Sequence, residues 1–278
     1  MTILVFTLII LVGSYFAGLL GSLTGLGGGF VIIPLLTLLL HVDIHYAIGA
    51  SLVSVIATSS GSAAAFVKEG ITNLRLGMFL EIATTAGAMS GAILATYIPT
   101  SYIAVIFGLI LIFSALMSLK KKAENIVHEK SYLAEKLKLS GSYPGANGAI
   151  DYSVTRVGGG FFMMIFAGII SGLLGIGSGA LKVIAMDTIM RIPFKVSTTT
   201  SNFMIGVTAS ASAVVYLQRG YISPGLSMPV VIGVLAGAFT GSKILVQSTS
   251  SRWLRYIFAI VISALAVQMI YHGVTGRI

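Results

Sequence analysis

Apolar residues along this chain come in runs, and the set of runs occurs twice. They cover roughly 2–23, 28–40, 46–67, 74–97 and 102–119, and then roughly 158–174, 178–190, 196–217, 225–246 and 253–272. Most have the length of about 20 residues that a helix needs to cross a bilayer. The second run of each set is the exception: 13 residues at a rise of about 1.5 Å reach only about 20 Å of a hydrocarbon core roughly 30 Å thick. Each of these short runs begins at a glycine cluster. The first two runs of each set therefore predict a broken helix pair, either two unequal spans or a re-entrant hairpin meeting near mid-membrane.

The repetition is also visible residue by residue. AGLLGSLTGLGGGFVIIP (17–34) returns as AGIISGLLGIGSGALKVI (167–184), and an offset of 150 superposes Ala17 on Ala167, Gly18 on Gly168, Gly25 on Gly175, Gly27 on Gly177 and Gly29 on Gly179. Without a gap the same offset matches Ser51 with Ser201, Thr58 with Thr208, Gly87 with Gly237 and Gly91 with Gly241, as an internal structural repeat does. Five crossings and three crossings are both odd, so consecutive copies enter the membrane from opposite sides. The predicted fold is all-α and integral to the membrane, with two inverted-topology repeats (1–120 and 158–278), each opened by a glycine-broken helix pair and joined by a linker at 121–157.

Composition agrees. Apolar residues make up 56% of 278 positions and charged residues 9%, with a mean hydropathy of +1.00, against roughly 45–50% and 25% in soluble domains. The net charge of +9 is spread over the gaps between runs, where topology and anionic lipid account for it, so no nucleic-acid partner is expected. The absence of Cys removes disulfides, thiolate metal sites and Cys nucleophiles.

The positive-inside rule orients the chain. With the 120–157 loop in the cytoplasm, Lys68, Arg75, Arg191, Lys195, Arg252 and Arg255 also fall inside, and Arg219 and Arg277 fall outside. Both termini are then outside. The N-terminal stretch has no basic flank and reads as a retained first span. The linker reads as a tether with one short helix over 121–139, followed by the turn-rich GSYPGANG at 141–148.

Few side chains inside the runs could do chemistry. The glycine clusters, Gly25, Gly27, Gly28 and Gly29 with Gly175, Gly177, Ser178 and Gly179, leave free backbone N–H groups where each short helix starts. That arrangement suits a small anion, although small residues also serve close helix packing. Lys182 lies about one turn into the second short run, where the first copy has Ile32. An ammonium near mid-membrane costs about 2.5–3.5 kcal/mol and needs a partner, either a substrate anion or Asp187, although a spacing of five does not stack two side chains on one helical face. Ser51, Thr58, Ser201, Asn202 and Thr208 could donate to oxyanions or, for the hydroxyls, turn back on their own helices. Glu81 sits a few residues into its span, where it either exchanges protons during transport or faces cytosolic water. Glu81 and Asp187 are thus the candidate coupling residues. The HVDIH turn at 41–45 reads as a polar turn, because its ligand set is incomplete for a metal.

The glycine-rich AGLLGSLTGLGGGFVIIPLL, its copy SGLLGIGSGALKVIAM and the following TSNFMIGVTASASA resemble the TauE/SafE sulfite exporters, also called the four-toluene-sulfonate uptake permeases, over about 10–272. Ser178 stands where that pattern more often has Gly, and Asp187 is an added acid. The resemblance implies a prokaryotic plasma-membrane carrier for sulfite, organosulfonates or similar anions, working outward and without a cofactor. The other classes consistent with the sequence are an anion channel and a carrier for carboxylates or thiosulfate. An intramembrane enzyme is disfavoured, because Glu81 and Asp187 are too isolated to form an acid–base pair or triad.

Overall fold

The structure is a computed structural model that describes residues 3–24, 28–68, 70–119, 131–145, 148–247 and 251–276. The first half contains α1 (Ile3–Thr24), the short α2 (Gly29–Pro34) continued by a π turn (Leu35–Leu39), α3 (Ile44–Lys68), α4 (Leu74–Ala95) and α5 (Thr100–Leu119). The linker contributes α6 (Tyr132–Lys136) and the strands β1 (Gly141–Gly145) and β2 (Gly148–Tyr152). The second half contains α7 (Val157–Leu174), α8 (Gly179–Ile184) with its π turn (Ala185–Ile189), α9 (Phe194–Gln218), α10 (Pro224–Gln247) and α11 (Ser251–Val274). Among the described residues, seven helices are long and apolar enough to cross a membrane. The chain is an all-α integral membrane protein that crosses the bilayer several times.

The 150-residue offset seen in the sequence recurs in the backbone. Gly29, Leu35, Ile44 and Leu74 open their elements, and Gly179, Ala185, Phe194 and Pro224 open the equivalents. Left-handed residues recur at His41 and Arg191 and at Gly70 and Gly220. The turn bond from Val42 N–H to the Leu36 carbonyl is matched by one from Ile192 to Met186. Both π turns recur although Pro34 has Ile184 as its counterpart, so the proline does not cause them.

The halves interlock by exchanging partners. α1 packs along α10, and the equivalent α7 packs along α4, while α5 lies on α11 and α3 on α9. Glycines set the first two contacts. A Cβ added at Gly87 or Gly91 would come within 2.2 or 2.1 Å of the Ile165 or Ile169 carbonyl oxygen, and one at Gly168 or Gly172 within 2.2 or 1.9 Å of Thr84 or Ala88. Gly233 and Gly237 meet the carbonyls of Leu11 and Tyr15 in the same way. Numbers rise together along both pairs, so these helices run parallel, backbone against backbone, as small-xxx-small contacts allow. In the α5–α11 pair Gly273 meets Ser101 and Val105 while Gly108 meets Ala266 and Ile270. These two equivalent helices therefore run antiparallel.

The linker departs from the simple tether expected of it. Helix is described only at Tyr132–Lys136, with residues 120–130 outside the described set, and GSYPGANG begins a two-stranded antiparallel hairpin in which Gly145 faces Gly148. Tyr143, Tyr152 and Leu139 are buried in one cluster with Met186, Met190, Ile192 and Val196 of the second half. Asn73, the cap of α4, donates through Nδ2 to the Leu139 carbonyl and to the Tyr152 hydroxyl, both at 2.7 Å, and its Oδ1 accepts from Leu76 N–H. The segment is a folded cap over the ends of α4, the second π turn and α9.

The α4–α7 contact leaves no room for a side chain. Gly172→Val is predicted to lower the stability of the detergent-solubilised protein by about 1–3 kcal/mol or more through overpacking. Gly225→Ala, whose Cβ would meet open space, should melt as the wild type does.

Candidate functional site

The second break shows why its sequence is rich in glycine. α7 ends at Leu174, and the chain then passes through Gly175 (φ +65°), Gly177 (φ +69°) and Ser178 (φ +41°) before α8 begins. Left-handed backbone is the region where glycine meets no Cβ penalty. Ser178 is the non-glycine member, and its hydroxyl donates at 2.6 Å to the Ala167 carbonyl. In the first half a Cβ on Gly28 would lie 3.4 Å from the equivalent Ala17 carbonyl oxygen. Gly28 itself is right-handed, with φ −74°. Gly25 and Gly27 lie outside the described residues.

The two breaks meet inside the protein. A Cβ on Gly29 would lie 2.6 Å from Ser51 Oγ and 3.5 Å from Ile176 Cα, and one on Gly179 would lie 2.6 Å from Ile205 Cδ1. Every residue from Ser171 to Gly179 is buried. The third helix of each half is stitched to this junction by its first matched serine. Ser51 Oγ on α3 donates at 2.9 Å to the Gly175 carbonyl, and Ser201 Oγ on α9 donates at 3.2 Å to the Gly179 carbonyl. Thr58 donates to carbonyls of its own helix, at Ser54 and Val55, as hydroxyls in membrane helices often do. Asn202 is half-buried on α9, six positions before Thr208.

Beside the junction lies a chain of three polar side chains from three helices. Lys182 Nζ on α8 donates at 2.5 Å to Thr208 Oγ1 on α9, and Thr208 Oγ1 lies 2.5 Å from Glu81 Oε1 on α4, to which it can donate. Thr85 Oγ1, one turn along α4, also donates to Glu81 Oε1, at 3.2 Å. Lys182 is 0% exposed, Thr208 0% and Glu81 7%. Glu81 Oε2 is buried without a hydrogen-bond partner. Glu81 also borders a groove of about 530 Å³ lined by Met78, Ile82, Met89, Phe203 and Val207.

This geometry replaces two readings made from sequence. Lys182 finds its opposite charge in Glu81, through Thr208, and not in Asp187. Asp187 is half-buried in the π turn that starts at Ala185, five positions on, where helical spacing gives no stacked contact. Glu81 does not face cytosolic water. The link between Glu81 and Lys182 was missed because each was weighed alone. The available signal was that both are interior charges absent from the other copy, where Val231 and Ile32 stand. The HVDIH turn forms a local clamp, with His45 Nδ1 3.1 Å from Asp43 Oδ1 and Nε2 3.1 Å from the Ala95 carbonyl.

The family of sulfite exporters TauE/SafE matches residues 9–269, nearly the whole chain. The chain belongs to the TauE/SafE family. Among its relatives are the probable membrane transporter proteins YunE of Bacillus subtilis, 30% identical with 96% of this chain and 98% of that one covered, and YdhB of the same organism, 28% identical with 85% and 89% covered. The probable membrane transporter protein MJ0441 of Methanocaldococcus jannaschii is 24% identical over 96% of both chains. No solved structure matches the chain. TauE/SafE membership identifies a membrane transporter, and the buried Lys182–Thr208–Glu81 chain beside the glycine breaks is the candidate centre of this member.

Gly177→Val adds a branched side chain at φ +69°, 2.7 Å from Ile205 Cγ2 at its Cβ. It is predicted to abolish transport in proteoliposomes while reducing the amount of folded protein far less. Normal transport by this variant would show the break to be a packing feature only.

Proposed function

We propose that this protein is a secondary transporter that moves a small sulfur-containing oxyanion, sulfite or an organosulfonate, outward across a prokaryotic plasma membrane. The family description supports the substrate class and the direction. Alternating access takes place around the junction of the two glycine breaks. The N- and C-termini lie outside and the 120–157 linker in the cytoplasm, in keeping with the distribution of Lys and Arg.

The observation that carries the reading is a fully buried ammonium, Lys182, at the break of one repeat and absent from the other. A buried cation in a membrane protein marks a substrate or ion pathway more often than a structural need. Its contact with Thr208 leaves the ammonium two further donors. A sulfite or sulfonate head offers three acceptor oxygens, which these donors and the N–H groups of the glycine backbone can share. Ser51, Ser201, Asn202 and Thr208 supply the polar wall around it. Because Lys182 has no exposed surface, the described state is occluded, and the anion meets the ammonium only after the halves shift.

Lys182→Met keeps most of the apolar stem and deletes a charge-assisted hydrogen bond worth roughly 1.5–3 kcal/mol, so anion affinity should fall about 10- to 150-fold. Lys182→Arg should recover part of it at best, because a planar fork replaces a point charge. The check is a proteoliposome uptake screen over sulfite, methanesulfonate, thiosulfate and acetate, followed by binding titrations of the folded variants. Uptake of acetate alone, or undiminished affinity in Lys182→Met, would overturn the reading.

A further inference from the structure

We infer that Lys182, Thr208 and Glu81 form a proton–anion coupling device, in which each anion bound at Lys182 is accompanied by one proton taken up by Glu81. The inference rests on the anion-binding reading of Lys182.

A buried, poorly solvated place demands charge balance. Lys182 and Glu81 attract one another through Thr208, and neither is solvated, so the unoccupied cluster is neutral as a pair. A bound monoanion would leave that cluster with a net negative charge in an apolar interior, which is costly. A proton on Glu81 restores neutrality. Other charges do not substitute for it. α7, which packs along α4, carries no ionisable side chain. α9 carries Lys195 in its first turn, exposed, and Tyr216 near its far end, while Arg75 on α4 itself is exposed six residues before Glu81. Among the described residues, Lys182 is the charge that acts on Glu81.

The hydrogen-bond geometry accommodates both protonation states of Glu81. Thr208 has one hydroxyl hydrogen and two acceptors for it, Glu81 Oε1 at 2.5 Å and the Met204 carbonyl at 2.9 Å. With Glu81 ionised the hydrogen points to the carboxylate. With Glu81 protonated, the carboxyl O–H donates to Thr208 Oγ1 and the threonine hydrogen turns to Met204. Both states are satisfied without displacing a heavy atom. Thr208 is thus a positioning residue that transmits the state of one charge to the other. Glu81 borders the groove between α4 and α9, and its Oε2 has no hydrogen-bond partner, so the carboxyl has an oxygen to hold a proton without disturbing the Thr208 contact. The balanced step is one carboxylate and one proton giving one carboxylic acid as one anion enters, reversed on the other side. Transport of a monoanion is then electroneutral.

Methanesulfonate is the probe, because it stays ionised throughout the tested range and cannot carry the proton itself. Calorimetric titration of the detergent-solubilised protein in two buffers of different ionisation heat should show one proton taken up per methanesulfonate bound where Glu81 is ionised. The dissociation constant should rise tenfold per pH unit over that range. Glu81→Gln, a neutral stand-in for the protonated carboxyl, should take up none and should bind at high pH as tightly as the wild type does at low pH. Binding without proton uptake in the wild type, or unchanged uptake in Glu81→Gln, overturns the coupling and leaves the anion site standing. No binding by the wild type overturns the anion site as well. Should Glu81→Gln fail to fold, the infrared difference spectrum of the wild type reads the same event: a protonated-carboxyl band must appear with methanesulfonate, and its absence overturns the coupling.

Discussion

A lysine ammonium with no exposed surface has to be held by something, and in this protein it is held by a threonine that also touches the buried Glu81. Breaking a buried pair by removing one partner typically costs 3–5 kcal/mol, so the positions of three helices are tied to this contact. α8 must start at the glycine break so that Lys182, its fourth residue, lies beside the junction. α9 must carry Thr208 past it. α4, from the other half of the chain, must bring Glu81 to the far side of the hydroxyl. The glycine contacts between α4 and α7 make that last requirement possible, because they seat a first-half helix with its backbone against a second-half one.

The scaffold is symmetric and its chemistry is not. The same broken helix, π turn and stitched serine occur in both halves, but the positions equivalent to Lys182, Thr208 and Glu81 are Ile32, Thr58 and Val231. One of the two related places therefore carries opposite charges and the other carries none. In the proposed transport cycle a pseudo-symmetric frame lets the halves exchange conformations, and a single charged centre at their junction gives both conformations the same group to present. Transporters built from inverted repeats place their substrate sites at the repeat interface, formed by broken helices.

Much of this is legible in the sequence. The offset of 150, the short second run and the glycines at its head are local properties, and helix length, glycine and proline express themselves locally. Lys182 and Glu81 could be picked out singly because charge inside an apolar run is rare. Their connection could not, because it depends on α4 packing across the repeat boundary onto α9, and an exchange of partners leaves no mark in periodicity. The roles of the glycines were mixed in the same way. Those at 175 and 177 serve left-handed backbone, whereas those at 87, 91, 168 and 172 serve helix contact, and composition does not separate the two. The hairpin at 141–152 was read only as turns, although Asn147-Gly148 is a hairpin signal, because the strands are short and one contains Pro144.

On the proposed function the buried charges are present for the anion and not for the fold. Replacing a buried ion pair by apolar groups of similar size is often neutral or stabilising, so the double variant Lys182→Met with Glu81→Leu separates the two roles. The measurement is methanesulfonate binding to this variant after its melting temperature has been recorded. The expected result is a protein that melts at or above the wild-type temperature and binds methanesulfonate at least about 10-fold more weakly than the wild type. A double variant that is folded and binds methanesulfonate with wild-type affinity would contradict it.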